Sequence, residues 1–187
     1  MVLKDELRSS ISETDVIANL ISWLDDGHKA ALATVISTWG SSPCPPGSHL
    51  AIRDDGVIVG SVSAGCVESA VIHEALQSIE SCLPQVCKFG VSGELAWEVG
   101  LACGGEIKVF IRSINDNAKL YRKAKKRIGE GLSSCLVTKI SDASSFLLGE
   151  GMRNKEIDNF VELREATLKA VNENKSFIFI GDKESYF

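Results

Sequence analysis

The sequence predicts an α/β fold, a mixed β-sheet flanked by helices, arranged as two related α/β units. Three observations carry this. Segments with apolar residues at helical spacing alternate with short apolar runs of strand type. Glycine, proline and Asp-Gly turns separate them. A weak internal echo is also present. Leu32–Ser37 and Leu136–Ser141 each follow a helix ending near a glycine, Gly27 or Gly131. Each is followed by a second apolar run and an acidic-Gly turn, Asp55-Gly56 or Glu150-Gly151.

Residues 1–12 carry little pattern. Thr14 to Asp26 reads as a helix, with Val16, Ile17, Leu20, Ile21 and Leu24 on one stripe. Ser12 or Thr14 caps it and Gly27 stops it. Ala30 to Ser37 is a strand. Residues 38–48 form a stiff loop, because three prolines and two glycines exclude regular structure. His49 to Arg53 alternates as a strand, and Asp54-Asp55-Gly56 turns it into Val57-Ile58-Val59.

The helix from Val67 to Ile79 presents Val67, Ala70, Val71, Ala75, Leu76 and Ile79 as a broad apolar face. Glu68 lies three residues after Gly65, the spacing of a capping-box-like start with Gly65 as N-cap. Val86 to Val91 is a strand, and residues 92–105 are a loop or short helical turn around Trp97. In the next strand Ile107, Val109 and Ile111 alternate with Lys108, Phe110 and Arg112. A helix over 117–130 is basic on one side, read as a solvated face. Strands over 134–140 and 146–148, a helix over 157–174 and an apolar strand over 176–180 complete the chain.

At 187 residues the chain is long enough to bury a core without metal or disulfide staples. Apolar content of 44% and charged content of 24% are those of an ordinary soluble domain. The net charge of −5 argues against a nucleic-acid binder. No run is long enough to span a membrane. The acidic N-terminus lacks the apolar region of a secretory signal, so a cytoplasmic location with reduced thiols is expected.

Six cysteines are present, with no C-x-x-C pair and no zinc-finger spacing. Cys82, Cys87 and Cys135 lie in or beside apolar runs and read as buried structural thiols. Cys44, Cys66 and Cys103 lie in Gly/Pro/Ser-rich loops, where function concentrates. The sharpest is Cys66, in Gly60-Ser61-Val62-Ser63-Ala64-Gly65-Cys66-Val67-Glu68. There the backbone can approach a bulky group, and a helix start favours thiolates and anions. A thiol packed at a tight strand-to-helix turn is the competing reading.

Two further loops are expected to converge with it. Trp39-Gly40-Ser41-Ser42, with Pro46-Gly47, offers an aromatic face beside hydroxyls, suited to a flat heterocycle carrying phosphate. Cys103-Gly104-Gly105 offers a second thiol. Glu94, Trp97 and Glu98 are candidates to line the same place, and His28 and His73 are given no role. Cys44, Cys66, Cys103 and His49 together make a mixed sulfur and nitrogen donor set of irregular spacing. Phosphate-loop, dinucleotide and hydrolase motifs are absent.

The loop TWGSSPCPPG, the turn GSVSAGCVE and the loop GLACGG closely resemble those of the XdhC/CoxI family, the xanthine dehydrogenase accessory proteins. The resemblance is strong over residues 30–112 and looser over 113–187. It implies a maturation factor that binds molybdenum cofactor as cargo, protects it during sulfuration and delivers it to a molybdenum hydroxylase apo-enzyme. Cys66 then matches the family's GCVE cysteine and Cys103 its CGG cysteine. The implied cofactor-binding set is Trp39, Gly40, Ser41, Ser42, Pro46, Gly47, Ser63, Gly65, Cys66, Glu68, Cys103, Gly104 and Gly105, with Cys66 and Cys103 as metal ligands. The phosphate of the cargo is expected on the N–H groups at the start of the Cys66 helix.

Three departures stand out. Cys44 replaces a residue usually basic, a basic residue often found near His49 is missing, and Ala64-Gly65 replaces Gly-Gly. Longer members continue into a Rossmann-type domain, which would begin about where this chain ends. A separate Rossmann-domain protein or a cysteine desulfurase, and a homodimer, are the further partners implied. The expected division is a core over residues 1–113 carrying the cysteine loops and a smaller α/β unit over 114–187. Two rivals stay open: a thiol- or metal-dependent enzyme using Cys66 and Cys103, and a non-catalytic interaction module. Turnover is not required of a cofactor chaperone, so the chain is read as that rather than as an enzyme.

Overall fold

In the computed structural model, the strand from Ala30 to Trp39 (β1) is the middle of a five-stranded sheet. The structure describes residues 13–90, 105–132 and 134–149, with 165, 167–169, 179–180 and 185–186. A helix α1 (Glu13–Asp25) precedes β1, and β2 (His49–Arg53), β3 (Ile58–Gly60), α2 (Glu68–Ser81), β4 (Gln85–Gly90) and β5 (Glu106–Ser113) follow. A 3-10 turn (Asn115–Asn117), α3 (Ala118–Gly129), β6 (Ser134–Thr138) and β7 (Ser145–Gly149) come next. Two short strands, β8 (Phe179–Ile180) and β9 (Ser185–Tyr186), pair with each other.

The sheet order is β3-β2-β1-β5-β4, and every pairing in it is antiparallel. Helices flank it as predicted. The antiparallel pairing has a direct consequence. β1 ends, β2 begins, β3 ends, β4 ends and β5 begins at one and the same end of the sheet. The three predicted loops therefore all leave from that end.

One face of the sheet is dry. Ala31, Ala33 and Val35 of β1, with Leu50, Ile52 and Ile111 from neighbouring strands, pack under Val71, Ala75 and Ile79 of α2. Each fully buried Val or Ile there contributes about 1.5–3 kcal/mol relative to exposure. The other face is covered by α1 through Val16, Leu20 and Ile21 and by Tyr121 of α3. It also buries polar groups. Thr34 Oγ1 and His49 Nδ1 lie 2.9 Å apart. Arg112, 4% exposed, donates to Tyr121 Oη at 2.6 Å and to Ala143 O and Ser145 Oγ of the β6–β7 hairpin. The sequence alternation had placed Lys108, Phe110 and Arg112 opposite the apolar residues of β5. Phe110 and Arg112 are in fact buried, because a second layer covers that face.

Most elements match the sequence reading within two residues. β1 runs two residues further than expected, through Trp39, with a bulge between Val35 and Ser37. The N-cap of α2 is Val67, not Gly65. Ala64 and Gly65 have φ of 55° and 106°, so the helix cannot begin through them. Cys82 is exposed at the C-cap of α2, where a buried thiol was expected. Cys87 and Cys135 are half-buried, and burial pushes both thiols up to about 11, with Glu74 adding to the effect at Cys87. Of the helix expected over 157–174, only residues 165 and 167–169 are described, all helical. The loop over 92–105 lies outside the described residues except for Gly105.

The echo between the two halves is a hairpin in each case. β1–β2 is embedded in the sheet, whereas β6–β7 stands as a two-stranded ribbon. The ribbon is tied back through the Arg112 bonds, and α3 is tied to α1 by Arg122 and Asp25 at 2.7 Å.

Candidate functional site

The loop after β1 folds back on its own strand. Gly47 N donates to Val35 O at 2.8 Å and Val35 N to Ser48 O at 3.0 Å, continuing the ladder past the prolines. Gly47 takes φ of 95°, which a side chain would strain. Ser42 Oγ donates to Cys44 O at 2.9 Å. Cys44 is half-buried against the dry core cluster, and its Sγ lies 3.9 Å from Ser61 Oγ in the turn before α2. Gly105, the first described residue before β5, packs against the Ser41 and Trp39 carbonyls so closely that a Cβ would collide with Ser41 O. The first loop thus touches the other two. Cys103 and Gly104 lie outside the described residues.

The turn from Ser61 to Val67 is organised by Glu68. Its Oε1 accepts from Ser61 Oγ at 2.6 Å, Ser63 N at 2.9 Å and Val62 N at 3.3 Å. Its Oε2 accepts from Gly65 N at 2.8 Å and from Ser63 Oγ. Burial alone would raise this carboxyl, but the hydroxyls of Ser61 and Ser63 and the Ser63 N–H outweigh it and hold it at about 2. The two serines are reused as acceptors. Ser61 Oγ takes Ala64 N at 2.9 Å and Ser63 Oγ takes Val67 N at 2.9 Å. Cys66 stands exposed at the top of this turn, one residue before the cap of α2.

Gly60 is the hinge into the turn. It has φ of 95°, and a Cβ there would strike His49 O. The reach-back of Glu68 to Gly65 is the half of the network that capping-box spacing foretells. Ser61, seven residues before Glu68, answers to no such rule and was missed.

His49 and Cys44 do not meet. His49 is on the face with Ala51 and Thr34, whereas Cys44 packs on the opposite, dry face. Burial, reinforced by the Arg112 charge, pushes His49 down to about 4, so it is neutral near pH 7. The mixed donor set of the sequence reading is therefore divided by the sheet. Among the described residues no group of three or more His, Cys, Asp or Glu is placed to hold a metal ion. Trp39 is 72% exposed at the rim. Past the bulge it pairs with Glu106, which puts it on the α1 side of the sheet, while Cys66 leads into α2 on the other.

Residues 23–90, which contain β1, both described loops and Cys66, match the model of the XdhC and CoxI family. The chain is 33% identical over 91 residues to the molybdenum cofactor insertion chaperone PaoD of Escherichia coli K12, covering 49% of this chain and 28% of that one. It is 26% identical over 130 residues to a probable xanthine dehydrogenase component of Bacillus subtilis 168, covering 68% of this chain and 39% of that one. A crystal structure of a xanthine dehydrogenase from Bacillus halodurans superposes with a TM-score of 0.62 at 22% identity, over 86% of this chain and 49% of that one. At that identity the likeness is one of fold. The chain spans less than half the length of each of these relatives. Among the described residues no helix is long and apolar enough to cross a membrane.

Ala64 has a left-handed backbone, which glycine would adopt freely and alanine adopts at about 1–2 kcal/mol.

Proposed function

We propose that this chain holds molybdenum cofactor as cargo and passes it to a molybdenum hydroxylase of the xanthine dehydrogenase type. The observation that carries this is the exposed thiol of Cys66 on a turn fixed from below by Glu68, at the sheet end where the loop of Ser41 and Ser42 and the glycine Gly105 meet. A thiolate is a soft ligand suited to a molybdenum centre or its sulfur. The names of the relatives, an insertion chaperone and a dehydrogenase component, support the same direction.

Cys66 and Cys103 are the thiols that face the metal end of the cargo. Ser41, Ser42, Gly104 and Gly105 border its organic part, and Trp39 stands at the rim. The core over 1–113 binds, and the unit over 114–187 supports it and offers surface to the receiving enzyme. Work in the cytoplasm, as a homodimer and with a cysteine desulfurase or a Rossmann-domain protein at hand, belongs to this reading.

The test is anaerobic titration of the purified chain with molybdenum cofactor released from a molybdoenzyme. Micromolar binding that is lost in Cys66→Ser, with the fold retained, is expected. Absence of micromolar binding to the unaltered chain overturns the proposal.

A further inference from the structure

The turn before α2 has the outward features of a phosphate cradle: small residues, a left-handed pair at Ala64-Gly65 and a helix start. Its inward face is already filled. The N–H groups of Val62, Ser63 and Gly65 all end on the two oxygens of Glu68. The N–H groups of Ala64 and Val67 end on the hydroxyls of Ser61 and Ser63, which themselves donate to Glu68. An external phosphate has none of these five donors to bind. The carboxylate is the anion of the cradle, supplied by the chain itself.

We infer that Glu68 is the positioning residue of the Cys66 site: it closes the cradle to outside anions and locks the turn that presents the thiol. The consequence for ligand chemistry is specific. This turn offers sulfur to a thiophilic atom and withholds these five N–H groups from a phosphate, so the phosphate of any phosphorylated cargo is held outside the cradle of Glu68. The inference deepens the cargo reading, but its test uses no cargo and can fail separately.

Removing the carboxylate leaves several N–H dipoles aimed at an empty space beside Cys66. Those dipoles favour a thiolate. The experiment measures the second-order rate of iodoacetamide alkylation at Cys66, read by peptide mass so that the other cysteines do not interfere. The full chain is compared with Glu68→Ala and the near-isosteric Glu68→Gln at neutral pH, with and without added formate or inorganic phosphate. Glu68→Ala should react roughly threefold faster or more. Formate should return it towards the unaltered rate by refilling the cradle, and phosphate should now protect it against heat.

The unaltered chain should respond to neither anion. Glu68→Gln keeps the volume, so it should fold even where the alanine variant does not. Its rate should rise without formate rescue, because the amide occupies the space. Equal rates in all three proteins, or a rate change in Glu68→Ala that no anion reverses, would overturn the assignment. So would protection of the unaltered chain by phosphate that is lost in Cys66→Ser.

Discussion

Under α2 the sheet meets mostly apolar side chains; Ser78 of α2 is buried with its hydroxyl on Leu83 O, and a larger polar group is gathered beyond the end of the sheet, around Glu68. Under α1 and α3 the same strands bury Thr34 and Arg112, with His49 half-buried against Thr34, beside apolar residues such as Leu32 and Ala51. The comparison teaches where each kind of chemistry is tolerated. The dry side supports a turn that must hold one shape and needs no specific partner. The wet side joins the sheet to the β6–β7 ribbon through directional bonds, because the ribbon alone is too small to hold itself. A buried guanidinium satisfied by Tyr121, Ser145 and a carbonyl fixes one docking geometry, where grease would allow several.

The contrast breaks most visibly at Arg112. Arg112→Ala removes the guanidinium that joins Tyr121 Oη to Ser145 Oγ and Ala143 O, leaves the buried Tyr121 hydroxyl without that donor, and should cost about 3–4 kcal/mol in urea unfolding. Ile111→Val, one residue away on the dry side, should cost about 1 kcal/mol. Equal losses would mean that the polar network is dispensable.

Acid separates the two sides next. His49 is held at about 4 in the fold against 6.5 unfolded. Between those values the unfolded chain binds more protons, so stability is full above pH 6.5 and falls as pH drops towards 4, by about 3 kcal/mol at most. His49→Gln should flatten this slope. Glu68, at about 2 against 4.5, loses its contribution only below pH 4.5. Thermal melts over pH 3–7 should therefore show two windows, the upper from the wet side and the lower from the turn. A single window below pH 4.5 would remove His49 from the account.

A smaller effect is expected at Ala64. Ala64→Gly relieves the left-handed backbone but loosens the unfolded chain, and should stabilise by about 0.5–1 kcal/mol. A loss of stability would mean that the alanine methyl group packs. The least effect on folding is expected at Cys66→Ser. The residue is exposed, so the unfolding free energy should move by less than about 0.5 kcal/mol. A large destabilisation would turn Cys66 back into a packing residue.

The division between the two sides also decided what the sequence could reveal. Val71, Ala75 and Ile79 announce their face by spacing alone, because a helix packed on a dry sheet has one requirement. Arg112 was placed correctly in alternation, but nothing near it in the chain announced its burial. A charged residue in alternation reads as solvent-facing until a second layer, separated from it in the chain, supplies Tyr121 and Ser145. At the turn, glycines and the capping-box spacing exposed the special backbone and the reach of Glu68, but left Ser61 unseen. The cysteines divided similarly. Cys87 and Cys135 are half-buried, as thiols in apolar runs should be, but Cys82 emerged at a helix end. The irregular donor set of Cys44 and His49 gave no hint that the sheet would pass between them.

The bulge in β1 carries a consequence of phase. Up to Val35 the strand keeps time with the core, odd residues facing α2. One extra residue then shifts the count, and Ser37 and Trp39 fall on the beat of the even ones. The strand thereby answers to two masters in turn, the core for its first half and the rim for its last. Were the ladder to run on regularly past Val35 with Ile36 paired in it, Trp39 would fall on the α2 side with Cys66; the bulge is what keeps Trp39 opposite Glu106 on the other. The side on which the rim indole stands is thus set by one step of register, a property of the pairing and of no single side chain.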